Sequence, residues 1–434
     1  MKLTRRIFLK RAAALGGGVL LADNLVLQAR AQSSEPVTVR FLTPLWASTR
    51  DRRVERQIAF TSVIEAFNDR YAAQGIQVEE VISDENPVTI TQEMDAGNVD
   101  AAWINHSLYP NHLLAGQLVD LAPYLSGEAG EFFPWTDAAL RGVNGTLAGL
   151  WHNTDTPLFY YNSETITEPP RTWSEVTALA EAFRADNPRE YALTYPFVGW
   201  QQMNTGMYEV LGGTWFAEDG SPIMLNETNR AIWARMFGFY LDLLERELIP
   251  ASAVANDQVQ QMPDVYAGTV HAFAGNSNFH FRELQPNLPE EEYAKWRAVP
   301  LPYPDEADQG RYQAGGWVIA PVATGDAARE AAAAAWTLHA TGYRALRNTC
   351  RAGSWIPTRP AILAEDPLYA EDPFAQVTLA ALEQGHVVPL NPLIGTALLA
   401  IDNALSEVAS GQASLEAALE AAALEVQREY EALS

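Results

Sequence analysis

The chain has 434 residues, 48% of them hydrophobic, and 19% charged. That is enough apolar material for a large core in two to four domains, and it excludes a disordered or fibrous protein. The net charge of −25 argues against nucleic-acid or anionic-lipid partners, which such a surface repels. Cys350 is the only cysteine, which excludes an internal disulfide and any cysteine-cluster metal or iron–sulfur site.

In chain order, the first feature is Thr4-Arg5-Arg6-Ile7-Phe8-Leu9-Lys10, followed by an apolar run from Ala12 to Leu27 and the small-residue site Ala29-Arg30-Ala31. This reads as a signal peptide over residues 1–31 that resembles the twin-arginine export type. The apolar run carries three glycines and Asp23 and falls short of the roughly 20 apolar residues that span a bilayer. No cysteine stands directly after it, so the expected product is exported, soluble, periplasmic and without a lipid anchor. The signal's six basic residues against one acid carry +5, which leaves −30 on the remainder, where Lys295 is the only lysine. The bland meaning of that charge is solubility.

Residues 36–43 alternate at period two and predict a first strand, with Trp46 in the loop after it. Helical spacing runs through Val54, Ile58, Val63, Ile64 and Phe67 to Tyr71. A second strand is predicted over 76–82, a short helix over 88–94 and a third strand over 99–104. This βαβαβ order predicts an open α/β sheet, in which ligands sit off the carboxyl ends of strands. The residues after those strands are therefore candidates: Trp46, Asp84 with Glu85, and Asn105, His106 and Tyr109.

Gly145 to Asn162 reads as strand, polar break, strand, with His152-Asn-Thr-Asp-Thr-Pro157 as the break. His152, Asn153 and Asp155 are either ligand groups at a hinge or residues that satisfy their own turn. Pro169-Pro-Arg-Thr-Trp-Ser-Glu175 is a loop and a helix start, where Thr172 and Glu175 have capping-box spacing. Helices are predicted over 172–185, 201–211 and 228–246. Trp200 and Gln201 lie at the start of the second. Asp264 to Gly275 leads to a turn with Asn276 and Asn278. The proline-bearing strand 296–304 suits an interdomain crossing. Ala314-Gly-Gly-Trp317-Val-Ile-Ala-Pro321 combines glycines, which let backbone approach a ligand, with a flat indole. Helix 327–341 follows, then Gly353-Ser-Trp355-Ile-Pro-Thr-Arg359-Pro, and helices near 374–385, 396–410 and 413–432.

The hinge stretch, the Tyr-Tyr-Asn162 and Pro-x-Thr-Trp-x-Glu run, Gly116 to Leu125, Asp264 to Gly275, Ala314 to Pro321 and Gly353 to Pro360 together resemble extracellular solute-binding proteins that feed sugar ABC importers, the maltose-binding-protein-like group. The likeness covers most of the chain past the signal and is weakest over 186–265 and 360–434. Thr269 and His271 stand where the group usually has a basic residue and Ala. The resemblance implies an α/β, two-lobed periplasmic-binding-protein fold, each lobe an open, mostly parallel sheet flanked by helices, with the ligand cleft between the lobes. It implies an N-terminal lobe of 32–153 and 303–345 and a C-terminal lobe of 154–302 and 346–434, with chain crossings near 153–158, 300–304 and 345–353.

The function so implied is capture of a neutral carbohydrate, a di- or oligosaccharide, by hinge closure, and its delivery by a monomer to a membrane permease. No catalysis, cofactor or metal is expected. Sugars need planar aromatics for their C–H faces and polar side chains for their hydroxyls. The expected ligand set is Trp46, Asp84, Asn105, His106, His152, Asn153, Asp155, Trp200, Gln201, Asn276, Asn278, Trp317, Trp355 and Arg359. Trp103 and Trp151 are expected to be packing residues. Arg359 has a second reading as a cap. Alternatives stay open: a polyamine or glycerol-phosphate ester in the same fold, or a periplasmic carbohydrate-active or cofactor-dependent enzyme. No G-x-S-x-G, H-E-x-x-H, P-loop or strand-linked G-x-G-x-x-G occurs, and the seven histidines are scattered singly.

Overall fold

A computed structural model describes residues 36–433 apart from 85–86, 126–130, 143–144, 225 and 384. The expected signal peptide and Glu85 lie outside the described residues. The strands in chain order are β1 (Val37–Pro44), β2 (Ile76–Ser83), β3 (Ala101–Asn105), β4 (Leu150–Asp155), β5 (Pro157–Asn162) and β6 (Ala272–Asn276). They continue as β7 (Trp296–Pro300), β8 (Tyr312–Gln313), β9 (Gly315–Pro321), β10 (Ile356–Pro357) and β11 (Gly385–His386).

The chain forms two units, one ending at Thr154 and resuming over Gly316–Leu368, the other made of Asp155–Gly315 and Tyr369–Ser434. Two of the three crossings differ from the sequence expectation. The Pro-bearing segment 296–304 does not cross, because β7 is a ladder strand of the second unit, paired with β5 from Leu158↔Pro300 to Asn162↔Trp296. The later crossing falls after Leu368, since the helix Tyr343–Gly353 belongs to the first unit and buries Leu346 and Cys350 there. The polar stretch 152–155 is strand rather than turn. β4 runs through Asp155 and only Thr156 separates it from β5.

Among the described residues the first unit's sheet has six strands in the order β10-β4-β9-β3-β1-β2. β1 pairs in parallel with both β2 and β3, as the βαβαβ pattern predicts. β9 returns antiparallel beside β3. The helix Val54–Tyr71 turns Ala59, Phe60, Val63 and Phe67 inward, a 3–4 residue spacing that puts them on one face. The helix Ala327–Ala340 starts at Asp326, whose side chain accepts from the N–H groups of Ala328 and Arg329. Its run of small buried residues, Ala331 to Ala335, lets it lie close, and Trp336 packs edge-on against Phe41 at 5.2 Å.

The second unit has a sheet of β6-β5-β7 and a two-stranded β11-β8 pair. β5 is antiparallel to both neighbours, so β6 and β7 run the same way and are joined by a helical crossover. Outside them the bridges are parallel: Thr194↔Phe273 on one side and Thr172↔Tyr303 on the other. The expected mostly parallel order therefore differs here: β5, the strand that brings the chain in, is inserted antiparallel between β6 and β7, and parallel pairing among this unit's described residues is confined to β8–β11 and isolated bridges. The core gathers Phe159, Tyr160, Trp173, Trp200, Trp233, Phe237 and Phe273, with the helices Glu227–Glu245, Ile394–Ala409 and Leu415–Leu433 around it. No described helix is long and apolar enough to cross a membrane.

Candidate functional site

In the first unit, strand direction gathers candidates at one end of the sheet. Trp46 follows β1, Asp84 follows β2, Asn105 ends β3 and His106 follows it. Because β9 is antiparallel to β3, its beginning lies at the same end, and Trp317 stands opposite Asn105 in the ladder. Trp46 and Trp317 meet at 5.1 Å between ring centroids, and Trp46 and Trp355 at 5.3 Å, both edge to face. Trp46 and Trp317 keep part of their surface exposed, whereas Trp355 is buried. Trp355 lies under the Arg56 guanidinium, 5.0 Å from its ring, and against Trp103. Gly353 makes room for that indole, since a Cβ there would run into it.

The polar members of this end are organised locally. The Asn105 side-chain carbonyl accepts from the Ser107 N–H at 3.0 Å and hydroxyl at 2.8 Å. His106 stacks on Trp151 at 5.6 Å, and burial pushes its pKa down to about 4, so it is neutral at neutral pH. A neutral ring whose Nδ1 faces the Gly316 carbonyl at 3.2 Å donates from Nδ1, which makes Nε2 an acceptor. Asp84 is exposed and accepts from the Thr89 hydroxyl at 3.3 Å.

Other expected ligand residues of this unit are built into the core. His152 is buried, packs on Trp103 at 4.4 Å, and bonds the Thr349 hydroxyl at 3.0 Å and the Asn153 side chain at 3.1 Å. Burial drives its pKa down to about 3. The Asn153 carbonyl accepts from the Trp151 indole at 3.0 Å. Arg359 is buried, donates to the Thr341 carbonyl at 2.9 Å, pairs with Glu131 and lies over Phe132 at 4.3 Å. These contacts give it a structural job and displace the hydroxyl-binding role. Trp103 and Trp151 are fully buried.

In the second unit, Asp155, Asn276 and Asn278 come together, because β5 begins where β6 ends. The Asn276 amide donates to Asp155 at 3.2 Å, its backbone N–H to the Gln258 side chain at 2.9 Å, and its carbonyl accepts from the Tyr160 hydroxyl. Asn278 is half-buried, and its side-chain oxygen is enclosed without a hydrogen-bond partner among the described residues. Burial raises the Asp155 pKa to about 6, against the pull of the nearby Arg282 charge. A cavity of about 280 Å³ opens beside this cluster, with Asp257, Gln258, Asn276 and Arg282 as its polar walls. Phe279 and the exposed side chains of Val198 and Val259 line the rest.

Trp200 and Gln201 are placed differently from expectation. Trp200 is buried edge-on against Phe237 and Tyr240, at 5.4 and 5.5 Å, so its indole is core rather than platform. The Gln201 N–H begins its helix by donating to Asp402 at 2.8 Å, and burial raises the Asp402 pKa to about 7. Sequence reasoning missed Asp257, Gln258, Arg282 and Asp402. Arg282 carried one usable signal, its spacing of four from Asn278, whose carbonyl accepts the Arg282 N–H at 2.9 Å. Among the described residues no group of three or more His, Cys, Asp or Glu is arranged to hold a metal ion.

The family model for bacterial extracellular solute-binding proteins matches residues 62–376. Two solved structures share the fold. Maltose-bound MalE3 of T. maritima is 18% identical, with a TM-score of 0.70 over 90% of this chain and 99% of that one. The GacH receptor of Streptomyces glaucescens GLA.O, solved unliganded and with acarbose and an acarbose homolog, is 17% identical, with a TM-score of 0.69 over 92% of this chain and 99% of that one. No curated protein sequence matches the chain. With a model match over more than half its length and the two-lobed α/β architecture of these neighbours, the chain belongs to the bacterial extracellular solute-binding protein family.

Proposed function

We propose that the protein is the substrate-binding component of an ABC importer and that its ligand is a carbohydrate of more than one ring. The observation that carries the reading is the partly exposed Trp46–Trp317 pair, 5.1 Å between ring centroids, at the sheet end that also presents Asn105 and His106. Flat indole surface suits the apolar faces of sugar rings, and neutral amide and imidazole groups suit hydroxyls. The family match, and structural neighbours solved with maltose and with acarbose, support the same class. Capture works by hinge closure, which follows from the ligand's higher affinity for the closed state. No bond is broken. The protein works outside the cytoplasm as a soluble monomer and hands its ligand to membrane permease subunits.

The test compares two tryptophans by calorimetric titration with the sugar that binds wild type. Trp317→Ala should weaken binding about 10- to 100-fold, the scale of about 1–3 kcal/mol for a lost stacking partner. Trp200→Phe should leave affinity within about twofold while lowering the melting temperature. Unchanged affinity in Trp317→Ala, with the fold intact by circular dichroism, would remove the indole pair from the site.

A further inference from the structure

The cavity in the second unit bears on the charge of the ligand. The expected ligand is a neutral sugar, yet among the described residues Arg282 is the one cationic side chain on the cavity wall. Its Nε faces Glu283 at 3.1 Å. Its two terminal nitrogens make no hydrogen bond to any described residue. The guanidinium lies over the Phe279 ring, 5.6 Å from the centroid, which holds it against the wall. It rides on a π-helical turn, His280–Leu284, where the Gln285 N–H reaches back to the His280 carbonyl. Such turns are uncommon and recur at functional sites.

Of the acids nearby, Glu283 pairs with Arg282 Nε itself, and the other two have work of their own. One Asp257 oxygen accepts from the N–H groups of Val259 at 2.8 Å and Gln260 at 2.7 Å, a turn-capping role. Asp155 is held by the Asn276 amide. The carboxylates thus have structural work, and of the Arg282 guanidinium only the two terminal nitrogens are left for a ligand once Nε is paired with Glu283. That asymmetry disfavours a polyamine, which would meet a cation. It favours an anion whose two oxygens match the fork. A volume of about 280 Å³ falls just under the usual lower end of about 300 Å³ for small-molecule sites, so it takes one ring rather than a whole oligosaccharide.

We propose that this cavity is a subsite for a carboxylate carried by the carbohydrate, with Arg282 as the specificity-determining residue, so that the ligand is an acidic, uronate-containing saccharide. The proposal rests on the carbohydrate reading above. Gln258 and Asn276 then meet ring hydroxyls, and Val198 and Val259 cover the C–H edge. A chain of net charge −25 repels anions at a distance, so discrimination must come from contact inside the cavity.

The experiment is calorimetric titration of the full protein with paired di- and trisaccharides that differ only at C6, carboxylate against hydroxymethyl, in the gluco and galacto series. Wild type, Arg282→Gln and Arg282→Lys are compared after their melting temperatures are shown to agree. The expected result is at least tenfold tighter binding of the acid member to wild type. That ratio should fall to about one in Arg282→Gln and to an intermediate value in Arg282→Lys. Equal or tighter binding of the neutral member, or an acid preference that survives in Arg282→Gln, would overturn the inference alone. Absence of binding to either member of every pair would overturn it together with the carbohydrate reading.

Discussion

The Gly316 carbonyl accepts two hydrogen bonds from His106, one from its backbone N–H at 3.1 Å and one from its ring Nδ1 at 3.2 Å. This ties the start of β9 to the end of β3, and with it Trp317 to Asn105. Gly316 holds a φ of +133°, and a Cβ there would collide with the Asn153 carbonyl and come within 2.6 Å of the Trp151 indole nitrogen. Gly316→Ala combines backbone strain with overpacking against a backbone atom. It should cost about 2–5 kcal/mol in urea unfolding. A cost under about 1 kcal/mol would mean that the strand start adjusts freely.

The capping box at Thr172 is formed as its spacing predicts. The Thr172 side chain accepts from the Glu175 N–H, and Glu175 reaches back to the Thr172 N–H at 3.3 Å. Thr172→Ala should therefore cost about 1 kcal/mol. Chemical denaturation followed by far-ultraviolet circular dichroism measures it, and a neutral substitution would show that the helix start is held by other contacts.

Asp402 gives a pH dependence of defined sign. Its folded pKa is raised to about 7 by burial, against an unfolded value of about 3.9. Between those values the folded state holds the extra proton, so this group's contribution to stability falls as pH rises from about 4 to about 7. Asn keeps an acceptor for Gln201 without the charge. Asp402→Asn should match wild type near pH 4 and exceed it by about 1–3 kcal/mol at pH 8. His106 and His152 act oppositely. Their depressed pKa values mean stability lost as pH falls below about 6.5. The comparison of variant with wild type removes that common background. An unchanged difference between pH 4 and 8 would contradict the assignment.

Asp100 is fully buried and pairs with two arginines, accepting from Arg40 Nε at 3.0 Å and from Arg329 Nε at 2.7 Å. Its removal leaves two partly buried cations without their counter-charge. Asp100→Ala should cost about 3–5 kcal/mol. Arg329→Met should cost much less, because Arg40 still satisfies the acid. Equal costs for the two variants would contradict this division of roles.

What the sequence made legible was what periodicity and caps encode. β1 to β3, the helix behind Thr172 and the Ala-rich helix after Asp326 all lie within a residue or two of expectation. The loops after parallel strands could be anticipated because strand direction alone sends Trp46, Asp84 and Asn105 to one sheet end. Burial was harder. Trp200, His152 and Arg359 sit in polar or glycine-bearing stretches that look like surface. Each is nevertheless absorbed by a partner distant in sequence: Phe237, Thr349 and Thr341. The crossing points were misjudged where prolines in 296–304 suggested a linker. Its edge position in the sheet tolerates them. The Gln258–Arg282 wall was hard to read because its members come from separate segments, and its one signal was the spacing of four between Asn278 and Arg282.

The most direct test of the central claim is a thermal melt of the refolded, ligand-free protein against mono-, di- and trisaccharides, neutral and acidic, with glycerol phosphate and putrescine alongside, and chromatography of each mixture afterwards. A saccharide at a thousandfold over its dissociation constant should add about 4 kcal/mol of stability. The predicted result is a shift of several degrees with a di- or trisaccharide that is recovered intact at one equivalent per chain. A shift with only glycerol phosphate or putrescine, or a saccharide consumed in the assay, would contradict the account.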